Sequence, residues 1–114
     1  MIEGIGIDVV DIARFQESLE RTPALKARLF TEREAILKTS SLAARFAAKE
    51  ALVKALDVRE VFSWHDAEVV STSSGKPEFF FTGALAARVA GARVHLTLSH
   101  DAGIASAMVV IERN

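Results

Sequence analysis

The segment from Leu42 to about Asp57 constrains the fold more than any other part of the chain. It is rich in alanine, leucine and lysine, which favours a helix, and Ser40 or Ser41 is suited to cap its start. At 100° per residue, its larger apolar side chains define one stripe, formed by Leu42, Phe46, Val53 and Leu56. Alanines occupy much of the remaining surface, namely Ala43, Ala47 and Ala51. We therefore predict a central helix that other elements surround on nearly all sides.

Charged residues interrupt this helix. Lys49 falls near the centre of the apolar stripe and Glu50 at its edge, with Arg45 and Lys54 nearby. Buried charges are costly unless they are paired or bound to an ion. The simplest explanation is a Glu50–Lys54 pair, four residues apart on a solvated face. The apolar surroundings of Lys49 favour partners outside the helix.

The remaining pattern predicts an α+β domain with an antiparallel sheet packed against this one long central helix and several shorter helices. Strands are predicted at 2–10, 67–70, 78–82, 93–99 and 104–111. The first strand has apolar residues on both faces and is expected to be buried. Further helices are predicted at 11–21, 25–30, 31–37 and 83–90, the third opening with a Thr31-to-Glu34 capping box. With 114 residues, the chain is expected to form one domain, 1–114.

Composition excludes several functional classes. The net charge of −1 argues against a nucleic-acid partner, and the absence of cysteine excludes disulfides and thiol catalysis. No run approaches the roughly 18 apolar residues of a membrane span, and acidic residues stand where a signal peptide would be apolar. We therefore expect a cytoplasmic protein with no membrane partner. So short a chain leaves apolar surface uncovered, and the three aromatics Phe79 to Phe81 add bulk to both faces of a strand, which favours oligomerisation.

Asp8 is a lone carboxylate within an apolar strand. It is either an ordinary helix cap or solvated strand end, or a ligand of Mg²⁺. Magnesium prefers one or two carboxylates and completes its shell with water and substrate phosphates. Asp8 and Glu50 have the right chemistry, but sequence spacing leaves open whether they meet.

Three short motifs are weak by themselves. Gly4-Ile5-Gly6 is not a dinucleotide fingerprint, because Val9 stands where the third glycine belongs. Gly75-Lys76-Pro77 is either an ordinary turn or a phosphate contact made by a backbone amide and a lysine. Ser99-His100-Asp101 is not a catalytic triad, because adjacent residues cannot converge, although His100 could donate to a phosphate.

Four segments together resemble the holo-acyl-carrier-protein synthase family of phosphopantetheinyl transferases. They appear in the family's order and span nearly the whole chain. The most specific part is the Lys49-Glu50-Ala51-x-x-Lys54 core beside a Gly-Ile-Asp strand. The segments are Gly6 to Ile12, Phe30 to Glu34, Arg45 to Lys54, and Leu98 to Asp101.

The resemblance implies a 4'-phosphopantetheinyl transferase-like fold and a Mg²⁺-dependent reaction. The 4'-phosphopantetheine of coenzyme A would pass to a serine of apo-acyl carrier protein, releasing adenosine 3',5'-bisphosphate, as a step of fatty acid biosynthesis. Asp8 and Glu50 would hold the metal, and Lys54 would act with them in catalysis by contacting the diphosphate. Either a metal-bound water or Glu50 would accept the serine proton.

The resemblance also implies a binding surface and an assembly. The coenzyme cleft would be formed by Arg45, Lys49, Lys54, Gly75, Lys76, Pro77, Ser99 and His100. The family works as a homotrimer with active sites between subunits. An acidic carrier protein would dock on Arg14, Arg21, Lys26 and Arg28, although ordinary solvated helix charge explains any single one of these equally well.

The chain departs from the family pattern in two places, and other classes of function stay open. The segment between Glu34 and Ser41 is short, which puts loop contacts to the nucleotide in doubt. The segment between Leu56 and Ala67 is short, and Val58 to Phe62 replace a glycine-rich loop, which puts some nucleotide contacts in doubt. A small Mg²⁺-dependent hydrolase of phosphoanhydrides would share the same acidic and basic residues. A non-catalytic carrier-binding module and a domain excised from a larger synthase are further alternatives, although Met1 directly before the first strand favours a free-standing protein.

Overall fold

The computed structural model describes residues 1–57 and 63–114, so the short segment from Val58 to Phe62 lies outside the described residues. The strands are β1 (Ile2–Asp11), β2 (Ala67–Ser71), β3 (Pro77–Phe81), β4 (Arg93–Asp101) and β5 (Ile104–Glu112). The helices are α1 (Ile12–Arg21), α2 (Ala24–Leu29), α3 (Glu32–Ala35), α4 (Thr39–Leu56) and α5 (Gly83–Arg88), with a 3₁₀ turn at Trp64–Asp66. The predicted α+β class and order of elements are confirmed.

Three of the strands form one antiparallel sheet in the order β1-β5-β4, and β2 and β3 form a separate hairpin. A two-residue turn joins β4 to β5, and both of its residues, Ala102 and Gly103, have positive φ, as a tight hairpin turn of this kind requires. The turn also supports α1, because the carbonyl of Gly103 accepts the amide of Ile12 at 2.9 Å. The sheet edge that carries β1 therefore leads directly into the first helix.

Helix α4 lies against one face of this sheet at unusually close range. A Cβ added to Gly4 would lie 2.0 Å from the carbonyl oxygen of Ala55, and one added to Gly6 would lie 2.0 Å from that of Ala51. Only a residue without a side chain fits at either position. The Gly4-Ile5-Gly6 segment is therefore a packing device that lets the helix backbone touch the strand.

The buried residues of α4 differ from the predicted stripe. Phe46, Val53 and Leu56 are only partly buried. The fully packed positions are Leu42, Ala43, Ala44, Ala47, Ala48, Lys49, Ala51, Leu52 and Ala55. The prediction of a helix surrounded on nearly all sides is confirmed, but the stripe was wrong because it ranked side chains by size, whereas close packing favours alanine. The predicted serine caps were also wrong, since the N-cap residue is Lys38.

Aromatic side chains fill the space between α4 and the first helices. The ring of Phe15 stacks on that of Phe46 with centroids 5.2 Å apart and meets Phe30 edge-on at 6.2 Å. Trp64 lies 6.0 Å from Phe46 on the other side. This cluster joins α1, α4 and the 3₁₀ turn, and it places large apolar surfaces beside the amino-terminal half of α4.

The opposite face of the three-stranded sheet is not covered by any of the residues that the structure describes. Ile5, Ile7 and Val9 project from it and are 63%, 56% and 61% exposed. Ile5 pairs with Val110, and Ile7 pairs with Met108, which is also exposed. The expectation that the first strand is buried on both faces does not hold for a single copy of the chain. No described helix is long and apolar enough to cross a bilayer.

The close contact predicts a large effect of a single methyl group. Gly6→Ala is expected to lower the free energy of unfolding by about 3 kcal/mol, at the upper end for overpacked sites, because both elements would have to separate. Gly103→Ala is the matched control: its φ is +79° but nothing lies within 4 Å of its Cβ, so only about 1 kcal/mol of backbone strain is expected. Urea unfolding of both variants checks this, and equal losses would contradict the packing role.

Candidate active site

Asp8 and Lys54 meet where β1 crosses α4. The Lys54 ammonium donates to the Asp8 carboxylate at 3.0 Å and to the carbonyl oxygen of Ile7 at 2.9 Å. A lysine ammonium has three N–H donors, and the third has no partner among residues 1–57 and 63–114. The Lys54 side chain is 53% exposed. It is therefore held in place yet free to meet an anion.

Glu50 shares a cleft with Asp8. The cleft encloses about 370 Å³ and is also lined by Asp11, Arg14 and Phe46. Burial raises the pKa of Glu50, the nearby negative charge of Asp8 raises it further, and Lys54 opposes both effects. The structure thus brings Asp8, Glu50 and Lys54 together. Lys54 forms its ion pair with Asp8, and not with Glu50 as the simplest explanation of the sequence had it.

The backbone explains why these three side chains converge. Asp8 lies two residues after Gly6 and so points to the same face of β1, toward α4. Glu50 precedes Ala51, whose carbonyl touches Gly6, and Lys54 lies one helical turn later. Both carboxylates therefore sit on regular elements fixed by a backbone contact.

The two carboxylates suit a hard divalent cation better than a transition metal. Among the described residues, no three histidines, cysteines or acids come close enough to hold a metal ion alone. Structural zinc sites need three or four such ligands, whereas Mg²⁺ is commonly held by one or two carboxylates together with waters and substrate phosphates. The donor set fits magnesium.

The cleft continues into an apolar pocket. A second cavity of about 230 Å³ shares Phe15, Phe46 and Glu50 with the first and adds Leu25 and Trp64. Charged side chains, among them Asp8 and Arg14, line the first cavity, and residues of the aromatic cluster line the second. The site can therefore take a ligand with a charged part and an uncharged part.

Two of the four cations predicted to dock a carrier protein line these cavities. Arg14 lines the polar cavity and Arg28 the apolar one, while Arg21 and Lys26 lie on the same two helices. All four are exposed, and none forms an ion pair within the described part of the chain. Their charges are therefore available to an acidic partner.

The other predicted coenzyme contacts do not gather at this cleft within one chain. Gly75 and Lys76 lie in the exposed β2–β3 turn and Pro77 opens β3, with Lys76 and Pro77 beside the exposed sheet face. Ser99 and His100 lie on β4, two strands away from β1, which is roughly 10 Å at the usual strand spacing. Arg45 points toward β2, where its terminal nitrogen donates to the Ser71 hydroxyl at 3.5 Å.

Lys49 lies elsewhere altogether. Its side chain is fully buried and pairs with Glu34 at 2.8 Å. Burial lowers the pKa of Lys49, although the hydrogen bond and negative charge of Glu34 oppose this shift. The position gives no support to Lys49 as a coenzyme contact, because its ammonium does not face the cleft. Sequence reasoning missed Glu34 as the partner, although its place in the capping box was visible.

Comparison with known proteins gives a consistent family. A family model described as the 4'-phosphopantetheinyl transferase superfamily matches residues 4–107. The holo-[acyl-carrier-protein] synthase of Leifsonia xyli subsp. xyli is 55% identical, over 100% of this chain and 99% of its own length. That of Clavibacter sepedonicus is 59% identical, over 98% and 97%.

Solved structures agree. The holo-[acyl-carrier-protein] synthase from Neisseria meningitidis is similar with a TM-score of 0.87 and 34% identity, covering 99% of this chain and 100% of that one. The enzyme from Helicobacter pylori in complex with coenzyme A is similar with a TM-score of 0.84 and 32% identity, covering 95% and 99%. The likeness extends over the whole fold.

The raised pKa of Glu50 predicts a gain in stability when its charge is removed. The folded state binds the proton of the Glu50 carboxyl more tightly than the unfolded state does. The contribution of this proton to stability is therefore complete below the pKa of Glu50 in the unfolded state and is lost as pH rises through its pKa in the folded state. Glu50→Gln should therefore stabilise the metal-free protein at pH 7 by about 1 kcal/mol, as active-site charges often do when removed. Urea unfolding in chelator, at pH 7 and near pH 4, should show the gain only at pH 7.

Glu17→Gln is the matched control for this measurement, because Glu17 is an exposed acid on α1. Its effect should stay within about 0.5 kcal/mol at both pH values, as for most surface substitutions. A loss of stability in Glu50→Gln at pH 7 would mean that Lys54 compensates Glu50 fully, and it would contradict the electrostatic description of the cleft.

Proposed function

The chain belongs to the 4'-phosphopantetheinyl transferase superfamily, and on this basis we propose that it transfers the phosphopantetheine group of coenzyme A to an acyl carrier protein. Its full-length relatives are named holo-[acyl-carrier-protein] synthase. The observation that carries the proposal is that Asp8 and Glu50 line one cleft while the Lys54 ammonium is bound to the Asp8 carboxylate. Phosphoryl transfer needs little covalent help and depends on positioning and charge compensation, which this group can provide.

Asp8 and Glu50 are proposed to hold Mg²⁺ against the coenzyme A diphosphate. When bound, the ion would supply positive charge to the bridging oxygens. Lys54 is proposed to direct its third N–H at the same diphosphate and to stabilise the charge that grows on the departing phosphate. The interaction with Asp8 holds the Lys54 ammonium at this position.

The reaction is a displacement at the β-phosphorus. The hydroxyl oxygen of the carrier serine forms the new P–O bond, and the bond to the oxygen bridging the two phosphates breaks. Adenosine 3',5'-bisphosphate then leaves. Glu50 is the group proposed to accept the serine proton, because its carboxylate lines the cleft beside Asp8, where the hydroxyl would attack.

We further propose that the active protein is a homotrimer with a site between neighbouring copies. Two observations support assembly. The sheet exposes Ile5, Ile7 and Val9 on one face, a surface that a stable monomer would cover. The predicted coenzyme contacts also fall into separate groups within one chain, so a second copy would be needed to complete the cleft around the diphosphate.

The acidic carrier protein is proposed to dock on the exposed cations of α1 and α2. Arg14 lies beside the carboxylates of the cleft and Arg28 beside the aromatic pocket. Unpaired exposed cations steer an acidic partner and fix its orientation. A place in fatty acid biosynthesis and in the cytoplasm forms part of the same proposal, which is supported by the names of the relatives.

The transfer itself is tested by mass spectrometry. A purified apo carrier protein incubated with this protein, coenzyme A and Mg²⁺ should gain the mass of one phosphopantetheine group. Asp8→Ala, Glu50→Ala and Lys54→Met should each slow the gain by about 10²-fold or more, because each removes a group placed at the developing charge. Glu32→Gln, at an exposed acid of α3 that lines neither cavity, serves as the control and should match the wild-type rate.

Two other outcomes would point to other functions. Hydrolysis of coenzyme A or another phosphoanhydride without any mass gain in the carrier protein would favour a hydrolase, which the same three residues could serve. Binding of the carrier protein without any reaction would favour a non-catalytic module.

Assembly is tested with Ile7→Glu. Ile7 lies at the centre of the exposed face, opposite Met108, and a buried carboxylate there would oppose association. Sedimentation should show trimers for the wild type and monomers for the variant. Ile36→Glu is the matched control, because Ile36 is 86% exposed after α3 and away from the sheet. A monomeric wild type with full transferase activity would contradict the proposed trimer.

A further inference from the structure

Lys49 stands next to Glu50 in the sequence, yet its ammonium has no donor left for a ligand. It donates to the Glu34 carboxylate at 2.8 Å, to the carbonyl oxygen of Leu29 at 2.9 Å and to that of Trp64 at 3.0 Å. A lysine ammonium has three N–H donors, so all of them are used. The side chain is 0% exposed. A phosphate could reach it only if this part of the fold opened.

The three acceptors belong to three different segments around α4. Leu29 ends α2, Glu34 lies in α3, and Trp64 opens the 3₁₀ turn. Both carboxylate oxygens of Glu34 are engaged, since it also accepts the amides of Thr31 at 3.0 Å and Val69 at 3.0 Å. One buried pair thus ties α4 to α2, α3, β2 and the 3₁₀ turn.

The same segments form the apolar wall of the cleft. Leu25 and Leu29 of α2 line the apolar cavity, together with Trp64, Phe46 and Glu50. Successive residues of a helix point about 100° apart. Anchoring the Lys49 side chain therefore fixes the rotation of α4, and with it the direction in which the Glu50 side chain points. The hydrogen bonds of the Lys49 ammonium therefore affect the position of the Glu50 carboxylate and that of the apolar wall beside Glu50.

We propose that Lys49 and Glu34 form a buried positioning pair, which sets the rotation of α4 and the apolar wall beside Glu50, and that Lys49 does not contact the substrate. Its kinetic consequences rest on the transferase activity proposed above. Removing one member of a buried pair leaves the other charge uncompensated, whereas removing both charges avoids this cost. The pair therefore predicts coupled effects of substitution.

Chemical labelling of the wild-type protein tests the burial without any assay of activity. Reductive methylation followed by peptide mass mapping should modify Lys38 readily with and without coenzyme A, and Lys54 readily only without it. Lys49 should react roughly 10²-fold more slowly in both conditions, because a fully buried amine reacts only through opening of the fold. Rapid labelling of Lys49 that coenzyme A suppresses would overturn the proposal. Failure of coenzyme A to protect Lys54 would count against the proposed function and leave the Lys49 inference standing.

Kinetics of three variants test the positioning. Lys49→Met and Glu34→Gln should each lower kcat by about 10²-fold, as small misplacements of catalytic groups do, with the KM for coenzyme A within about twofold. The double variant should be no slower than the slower single variant, because both changes break one unit. A direct coenzyme ligand would instead raise KM in Lys49→Met and leave Glu34→Gln active, and that result would overturn the proposal.

Glu68→Gln controls for stability loss in the same region. Glu68 is a buried acid on β2 that accepts hydrogen bonds from Thr31 and Arg33, and it has no hydrogen bond to α4 among the described residues. This variant should lower the unfolding temperature while keeping kcat. If Glu68→Gln lost kcat as strongly as Glu34→Gln, general loosening would explain the effect and positioning would be rejected.

Discussion

The contact between the backbones of β1 and α4 is the constraint on which the rest of the structure depends. Gly4 and Gly6 leave no room for a side chain against the carbonyls of Ala55 and Ala51. A strand and a helix in direct backbone contact cannot slide or rotate without a clash. Asp8 and Glu50 stand within two residues of this contact, so their separation is fixed by packing. Sites supported by regular elements keep their geometry better than sites carried by loops.

This rigidity brings together charges that the folded chain does not fully balance. Lys54 pairs with Asp8, and burial together with Asp8 raises the pKa of Glu50. Keeping a second carboxylate in the cleft therefore lowers the stability of the folded protein. In the proposed function, a cation brought by a diphosphate would share this charge. The two carboxylates would then hold the cation, and the remaining N–H of Lys54 would bind the diphosphate.

Much of this could be predicted from the sequence, and the exceptions have physical causes. Periodicity predicted the elements, and Asp8, Glu50 and Lys54 stood out as charges in apolar surroundings. The apolar stripe on α4 was wrong because small residues permit closer packing than large ones, a property that hydrophobicity does not measure. The exposed face of β1 could not be distinguished from a buried one, since Ile5 and Ile7 have the composition of a core strand. Such apolar residues indicate that a surface will be covered, but they do not indicate whether the same chain or another molecule covers it.

Lys49 and Lys54 show most clearly what a sequence alone does not distinguish, because they lie five residues apart on one helix and look alike in the sequence. Lys54 uses two of its three donors and is half exposed, whereas Lys49 uses all three and is fully buried. Two of the acceptors of Lys49 are backbone carbonyls, from Leu29 and Trp64, and a carbonyl has no sequence signature. A charged residue in a recognisable motif is thus a candidate ligand only while a donor remains unused. Counting the donors in the structure thus supports the two proposed roles, contact with the substrate for Lys54 and positioning of the site for Lys49.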